Sequence, residues 1–183
     1  MTRVVGLYGR IGSGKSTLAD ALQAGRTDVV RWSFAAPVRA AAIHVMRQAR
    51  VVQDNDAARA RVTTLKDRPV AEGSITGREL LLRIGPLLDA VTPWWRERAL
   101  EAELAFSPAW ALVIDDMRLP REFDAVKAMR GLTVRLHRLG DTPPANHLEG
   151  LLDDRVFDLD IPADATVDDA TRLVLDFINR KGD

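Results

Sequence analysis

The chain is predicted to fold as an α/β protein, a three-layer α/β/α sandwich around a mostly parallel sheet. Three observations lead there. Strand-like and helix-like segments alternate along most of its length. Two short, continuous apolar runs, around Val4-Val5 and Leu112-Val113, have the look of parallel strands buried on both faces. A glycine-rich turn joins the first of them to a helical pattern, as parallel sheets use to present a ligand beyond the carboxyl ends of their strands.

Each element has its own signal. Arg3-Val4-Val5-Gly6-Leu7-Tyr8 is the first strand, and the helix that opens near Lys15 continues through Thr17-Leu18-Ala19-Asp20-Ala21-Leu22. Val29 to Phe34 is the second strand, followed by a helix from Pro37 to about Arg50, with proline tolerated in its first turn. Residues 51–75 are polar and weakly periodic, and are expected to form a mobile lid or an acceptor-side segment. Thr76 and Glu79 have capping-box spacing before a helix whose apolar face carries Leu80, Leu81, Ile84, Leu87 and Leu88. A helix from Trp94 to Leu104 and a strand from Trp110 to Ile114 come next. A helix from about Arg121 to Met129, a strand from Leu132 to His137, a loop at 141–146, a strand from Val156 to Ile161 and a helix from Val167 to Ile178 complete the order. With 183 residues, 46% of them hydrophobic, the chain suits one domain.

Composition narrows the function. Acidic and basic residues balance at 26 each, so no global field holds the chain on nucleic acid or an anionic membrane, and no stable nucleic-acid complex is expected. With no cysteine and only His44, His137 and His147, thiolate metal sites are excluded and a structural zinc site is not expected. No apolar run approaches a membrane span and no secretory leader is seen, which points to the cytoplasm. Either a monomer or a homodimer is compatible with the composition.

The chemistry is carried first by Gly9-Arg10-Ile11-Gly12-Ser13-Gly14-Lys15-Ser16, which fits the phosphate-binding pattern Gly-x-x-x-x-Gly-Lys-Ser/Thr between a strand and a helix. Gly9, Gly12 and Gly14 let the backbone approach phosphate oxygens, and Ser13 and Thr17 add donors at the loop and the helix start. Lys15 is expected to reach the β- and γ-phosphates of ATP, and Ser16 to ligate Mg²⁺. Asp115 and Asp116 follow a buried strand, and one of them is expected to be the second anchor of the metal, or the group that orients the nucleophile. Alternation turns them to opposite sides, so the other is free to serve as a helix cap; alternation does not choose between the two, and Asp115 is carried forward as the metal candidate. Arginines suit the holding of two polyanions. Arg118 is placed to reach the transferring oxygens, Arg78 and Arg39 to hold an acceptor phosphate, and Arg138 to approach the donor nucleotide. Arg10 is expected to face solvent or help closure. Trp94 and Trp95 invite base stacking but fit core anchors better, and Trp32 and Trp110 read as core.

Taken together, Gly6 to Thr17, Phe34-Ala35-Ala36-Pro37-Val38-Arg39, Thr76-Gly77-Arg78-Glu79-Leu80-Leu81 and Val113 to Glu122 resemble the bacteriophage deoxynucleoside monophosphate kinases. The resemblance extends to His147-Leu148-Glu149 and Phe157-Asp158-Leu159-Asp160-Ile161. It implies a P-loop fold of the nucleoside monophosphate kinase type. It also implies transfer of the γ-phosphoryl group of ATP, with Mg²⁺, to a deoxynucleoside 5′-monophosphate, and small-molecule nucleotides as partners. The chain departs from that pattern at Leu82, at Gly85-Pro86-Leu87, at Leu148 and at Ala163, which points to a different acceptor base or a different acceptor. A kinase with a hydroxyl acceptor, either dephospho-coenzyme A or a modified DNA base, and a nucleotide-binding module without turnover remain alternatives.

Overall fold

A computed structural model describes residues 2–137 and 150–180. The chain divides into two compact units, one formed by Met1–Phe34 with Leu100–Asp183 and the other by Ala35–Ala99.

The first unit holds a five-stranded parallel sheet of order β2-β3-β1-β4-β5. Its strands are β1 (Arg3–Tyr8), β2 (Val29–Trp32), β3 (Ala111–Ile114), β4 (Leu132–Leu136) and β5 (Leu159–Ile161). Side-chain alternation splits each strand between two layers. Val5 and Leu7 pack with Val113 and Val134 against α1 (Lys15–Gly25), through Leu18, Ala19 and Leu22, and against α7 (Val167–Arg180). Val4, Tyr8, Leu112 and Ile114 face the other way, toward Leu100 and Leu104 of α5 (Trp95–Phe106) and Phe123 and Val126 of α6 (Pro120–Ala128). The predicted three-layer α/β/α sandwich is thus the fold observed.

Local chemistry fixes the helix ends. In α7, Ala170, Val174 and Ile178 recur at i, i+4 and i+8 and form its buried stripe. The Thr166 hydroxyl accepts from the Asp169 amide at its start. Pro120 opens α6, where its missing N–H costs nothing, and the Glu122 carboxylate accepts from the amides of Arg118 and Leu119.

The second unit is helical, with α2 (Ala35–Gln48), α3 (Asn55–Val62) and α4 (Gly77–Val91) packed around Ala42, Met46, Ala58, Val62 and Ile84. The capping box is formed as expected: Thr76 Oγ1 accepts from the Glu79 amide and the Glu79 carboxylate from the Thr76 amide. Helix α3 lies inside the polar stretch for which no element is expected. Only Ala58 and Val62 are buried in it, so its apolar stripe is too thin to show as periodicity. Its start is nonetheless written in Asp54, whose side chain accepts from the Ala57 amide, and its ends carry the charges that suit the helix dipole, Asp56 first and Arg59 and Arg61 last.

Candidate functional site

Residues 9–16 run from the carboxyl end of β1 into α1. A side chain at Gly9 would place its Cβ 2.6 Å from the Leu136 carbonyl oxygen and 2.4 Å from Ser13 Oγ, so close approach to β4 demands glycine there. Gly12 and Gly14 have φ of 79° and 88°, the left-handed conformation, and Gly14 caps α1 by accepting from the Leu18 amide at 2.8 Å. The first amides of α1 have no acceptor within their own helix and point out of its start. Lys15 curls back over the loop, its ammonium donating to the carbonyls of Gly9 and of Arg10, the latter at 3.0 Å, and lying 3.5 Å from Ser13 Oγ. Thr17 is exposed on the first turn of α1. The result is a concave, donor-rich loop built for phosphate.

The two carboxylates after β3 separate as alternation requires. Val113 belongs to the α1 side of the sheet, and so does Asp115 two residues on: Ser16 Oγ donates to Asp115 Oδ2 at 3.2 Å. Asp116 turns to the opposite side, where it accepts from Ser33 Oγ at 2.6 Å and from the Phe34 amide at 2.9 Å, just before α2. Asp115 is therefore the carboxylate that faces the phosphate loop, and Asp116 fixes the exit of β2. The Asp115 side chain is 9% exposed, and it also receives the Arg31 guanidinium.

A third group surrounds the mouth of the loop. Tyr8, Gly9, Arg10, Lys15, Arg118 and Gly150 line one cleft. The Tyr8 hydroxyl donates to Asp153 Oδ1 at 2.5 Å and Arg10 Nη2 to Asp153 Oδ2 at 3.2 Å. Burial, followed by the hydrogen bond to Asp153, pushes the Tyr8 hydroxyl up to about 12. The Tyr8 hydrogen bond also holds the Asp153 carboxyl below the usual carboxylate range, against burial and with help from Arg10. Arg10 is thus an anchored side chain. Tyr8, Asp153 and Arg31 escape sequence reasoning because nothing local marks them.

The remaining predicted residues lie elsewhere. Arg39 is on α2 and Arg78 on the first turn of α4, both in the helical unit, where Asp67 grips the Arg78 guanidinium through two bonds of 2.5 and 3.1 Å. In the same unit Trp95 is buried, donates to Asp89 at 2.9 Å and lies under the Arg96 guanidinium, so it is a core anchor. Trp94 is 65% exposed. Arg138, His147, Leu148 and Glu149 lie outside the described residues. Asp158 and Asp160, part of the motif near β5, brace the sheet: Asp158 accepts from Thr133 Oγ1 and from its amide, and Asp160 from Arg135.

Among the described residues no group of three or more acidic or histidine side chains is placed to hold a metal ion, and no helix is long and apolar enough to cross a membrane. The Ser16 hydroxyl and Asp115 carboxylate, 3.2 Å apart, are hard oxygen donors on one side of the loop. Such a pair suits Mg²⁺, which takes one or two protein oxygens and completes its shell with phosphates and water.

Sheet, loop and carboxylate define the class: an α/β protein with the fold of the P-loop nucleotide-binding proteins. No family model matches the chain, and no curated protein matches it by sequence. Among solved structures it is similar to the APS kinase of Mycobacterium tuberculosis, at 12% identity, with 97% of each chain covered and a TM-score of 0.44. It is likewise similar to the shikimate kinase of Aquifex aeolicus, at 14% identity, with 98% of each chain covered and a TM-score of 0.43. Neither level of similarity extends to substrate or activity.

Proposed function

We propose that the chain is an ATP-dependent phosphotransferase whose acceptor is a nucleoside or deoxynucleoside 5′-monophosphate. The observation that carries this is the pairing of a formed phosphate loop, Lys15 at its mouth, with Asp115 across from Ser16. In the nucleotide-bound protein the Lys15 ammonium exchanges the loop carbonyls for β- and γ-phosphate oxygens, and the amides at the start of α1 hold the β-phosphate. Ser16 and Asp115 would hold Mg²⁺, which offsets charge on the β- and γ-phosphates when bound. Arg118, in the same cleft as Lys15, offsets charge on the transferring oxygens. Arg78 and Arg39 hold the acceptor phosphate, with Arg78 trading Asp67 for it, and Arg138 approaches the donor nucleotide. Residues 51–75, which include α3, limit access of water during transfer.

The disposition of the carboxylates supports a phosphate acceptor over a hydroxyl one. A hydroxyl acceptor needs a general base, whereas a monophosphate, with its second pKa at about 6, offers an oxygen that is already ionised. Asp115 is engaged by Ser16 and Arg31, and Asp116 by Ser33 and the Phe34 amide. Both are held as positioning groups.

The test is to incubate the protein with labelled ATP, Mg²⁺ and each common nucleoside and deoxynucleoside monophosphate in turn, and resolve the products. A labelled diphosphate, absent in a Lys15→Ala control, is the expected result and names the acceptor. ATP binding without product from any monophosphate would overturn it, in favour of a hydroxyl acceptor or a non-catalytic module.

A further inference from the structure

Arg31 stands where the proposed metal ligand is. On β2, alternation puts Val29 in the core beneath α1 and returns Arg31 to the same side two residues later. There its guanidinium forks between two carboxylates. Nη1 donates to Asp20 Oδ1 at 2.6 Å and Nη2 to Asp115 Oδ2. Asp20 lies one turn beyond Ser16 on α1, so Ser16 and Asp20 share a helix face, and Arg31 joins Asp20 to the Ser16–Asp115 pair. The two ends of the fork differ. The Asp115 side chain is 9% exposed and that of Asp20 64%.

Asp115 Oδ2 accepts from both Ser16 Oγ and Arg31 Nη2, which uses both of its lone pairs. A dication seated on Ser16 and Asp115 shares that carboxylate with the guanidinium and repels it at close range. Resting on the phosphotransferase reading of this site, we propose that Arg31 is a built-in counter-ion of Asp115. It competes with Mg²⁺ for that carboxylate, withdraws onto Asp20 when the cation binds, and so sets the Mg²⁺ concentration at which the nucleotide is bound. Arg31 is a positioning residue here. It keeps a nearly buried carboxylate paired while no cation is present, and Asp20 is the exposed acceptor that receives the displaced charge.

A merely structural Arg31, tying the edge strand to α1, makes a different prediction, because loss of either end of the fork would then weaken binding in the same direction. Competition gives opposite signs. The experiment is equilibrium binding of a fluorescent ATP analogue to the full chain across a Mg²⁺ titration, with melting curves to establish that each variant is folded. Arg31→Met, which keeps the apolar stem and removes the charge, is expected to move the Mg²⁺ midpoint to about tenfold lower concentration. Asp20→Asn removes the negative charge of the alternative acceptor, biases Arg31 toward Asp115 and is expected to move the midpoint several-fold higher. Arg31→Lys retains the charge and stays near the wild type. Shifts of the same sign in Arg31→Met and Asp20→Asn, or unmoved midpoints in both, would overturn the inference while leaving the phosphotransferase reading in place. Absence of nucleotide binding by the wild type at every Mg²⁺ concentration would overturn both.

Discussion

The phosphate loop of the sandwich unit is built from backbone, whereas the arginine-bearing helices of Ala35–Ala99 rely on side chains. In the loop, φ values of 79° and 88° at Gly12 and Gly14 and the approach of Gly9 to Leu136 fix the shape before any ligand arrives. In the helical unit, Arg78 is 54% exposed and its direction depends on an ion pair with Asp67, itself 66% exposed. A backbone cradle costs little reorganisation when phosphate binds, while an exposed ion pair is weak and can be exchanged for a stronger anion. The phosphate loop is therefore rigid and generic. Under the proposed function, selection of the acceptor falls to the adaptable side chains.

The largest effect is expected at Lys15. Lys15→Ala removes a side chain that closes over the loop and would reach the transferring phosphoryl group, so transfer should fall by roughly 10²–10³-fold or more while the far-ultraviolet spectrum is unchanged. Turnover within tenfold of the wild type would mean that the loop does not handle the reacting phosphate. Next is the backbone itself. Gly9→Ala drives a Cβ into the Leu136 carbonyl, and Gly14→Ala meets nothing within 4 Å but has to hold φ of 88°. Urea denaturation should show about 2–3 kcal/mol lost for Gly9→Ala, with loss of nucleotide binding, against about 1 kcal/mol for Gly14→Ala. The reverse order would contradict the loop shape described above.

The same contrast explains what could be read from the sequence. The loop was legible because glycine, lysine and serine at fixed spacing are the direct record of a backbone conformation and its ligands. Strands β1 and β3 were legible because they are buried on both faces, and α4 because Thr76 and Glu79 spell its cap. The opposite directions of Asp115 and Asp116 followed from strand alternation alone. Helix α3 was not legible, since its buried face is only Ala58 and Val62. Arg31, Tyr8 and Asp153 were not legible either, for a different reason. Arg31 meets Asp115 across 84 residues and Tyr8 meets Asp153 across 145, and one arginine among many carries no local sign of its partner. Side-chain pairs made by topology become visible only when the topology is.

On the helical side the proposed acceptor contact gives a smaller, separable effect. Arg78→Ala should raise KM for the monophosphate by about 10–100-fold and leave ATP affinity unchanged, as loss of a charge-assisted phosphate contact does. Asp67→Asn should act in the opposite direction, lowering that KM by about two- to threefold, because it releases Arg78 from an exposed pair of little intrinsic strength. If both variants leave KM unmoved, Arg78 is a surface ion pair and the acceptor is held elsewhere.

The smallest effect under ordinary conditions, and the most direct view of the loop's surroundings, comes from Tyr8. It is the single tyrosine of the chain, so tyrosinate absorbance reports on it alone. Its hydroxyl is raised from 10.0 to about 12, first by burial and then by Asp153. The native fold therefore favours the protonated phenol. The stability this contributes is fully present below the unfolded value of 10.0 and is lost as pH rises through about 12. Spectrophotometric titration of the native protein should give a midpoint near 12, falling to about 10 in denaturant. Tyr8→Phe should cost about 1 kcal/mol at lower pH, where Arg10 still pairs with Asp153, and should abolish this tyrosine-linked part of the alkaline loss of stability. A native midpoint near the ordinary value would place the hydroxyl in water and dissolve the Tyr8–Asp153–Arg10 brace. The mouth of the phosphate loop would then be as adaptable as the arginine-bearing helices, and the contrast between the two regions would reduce to the glycines alone.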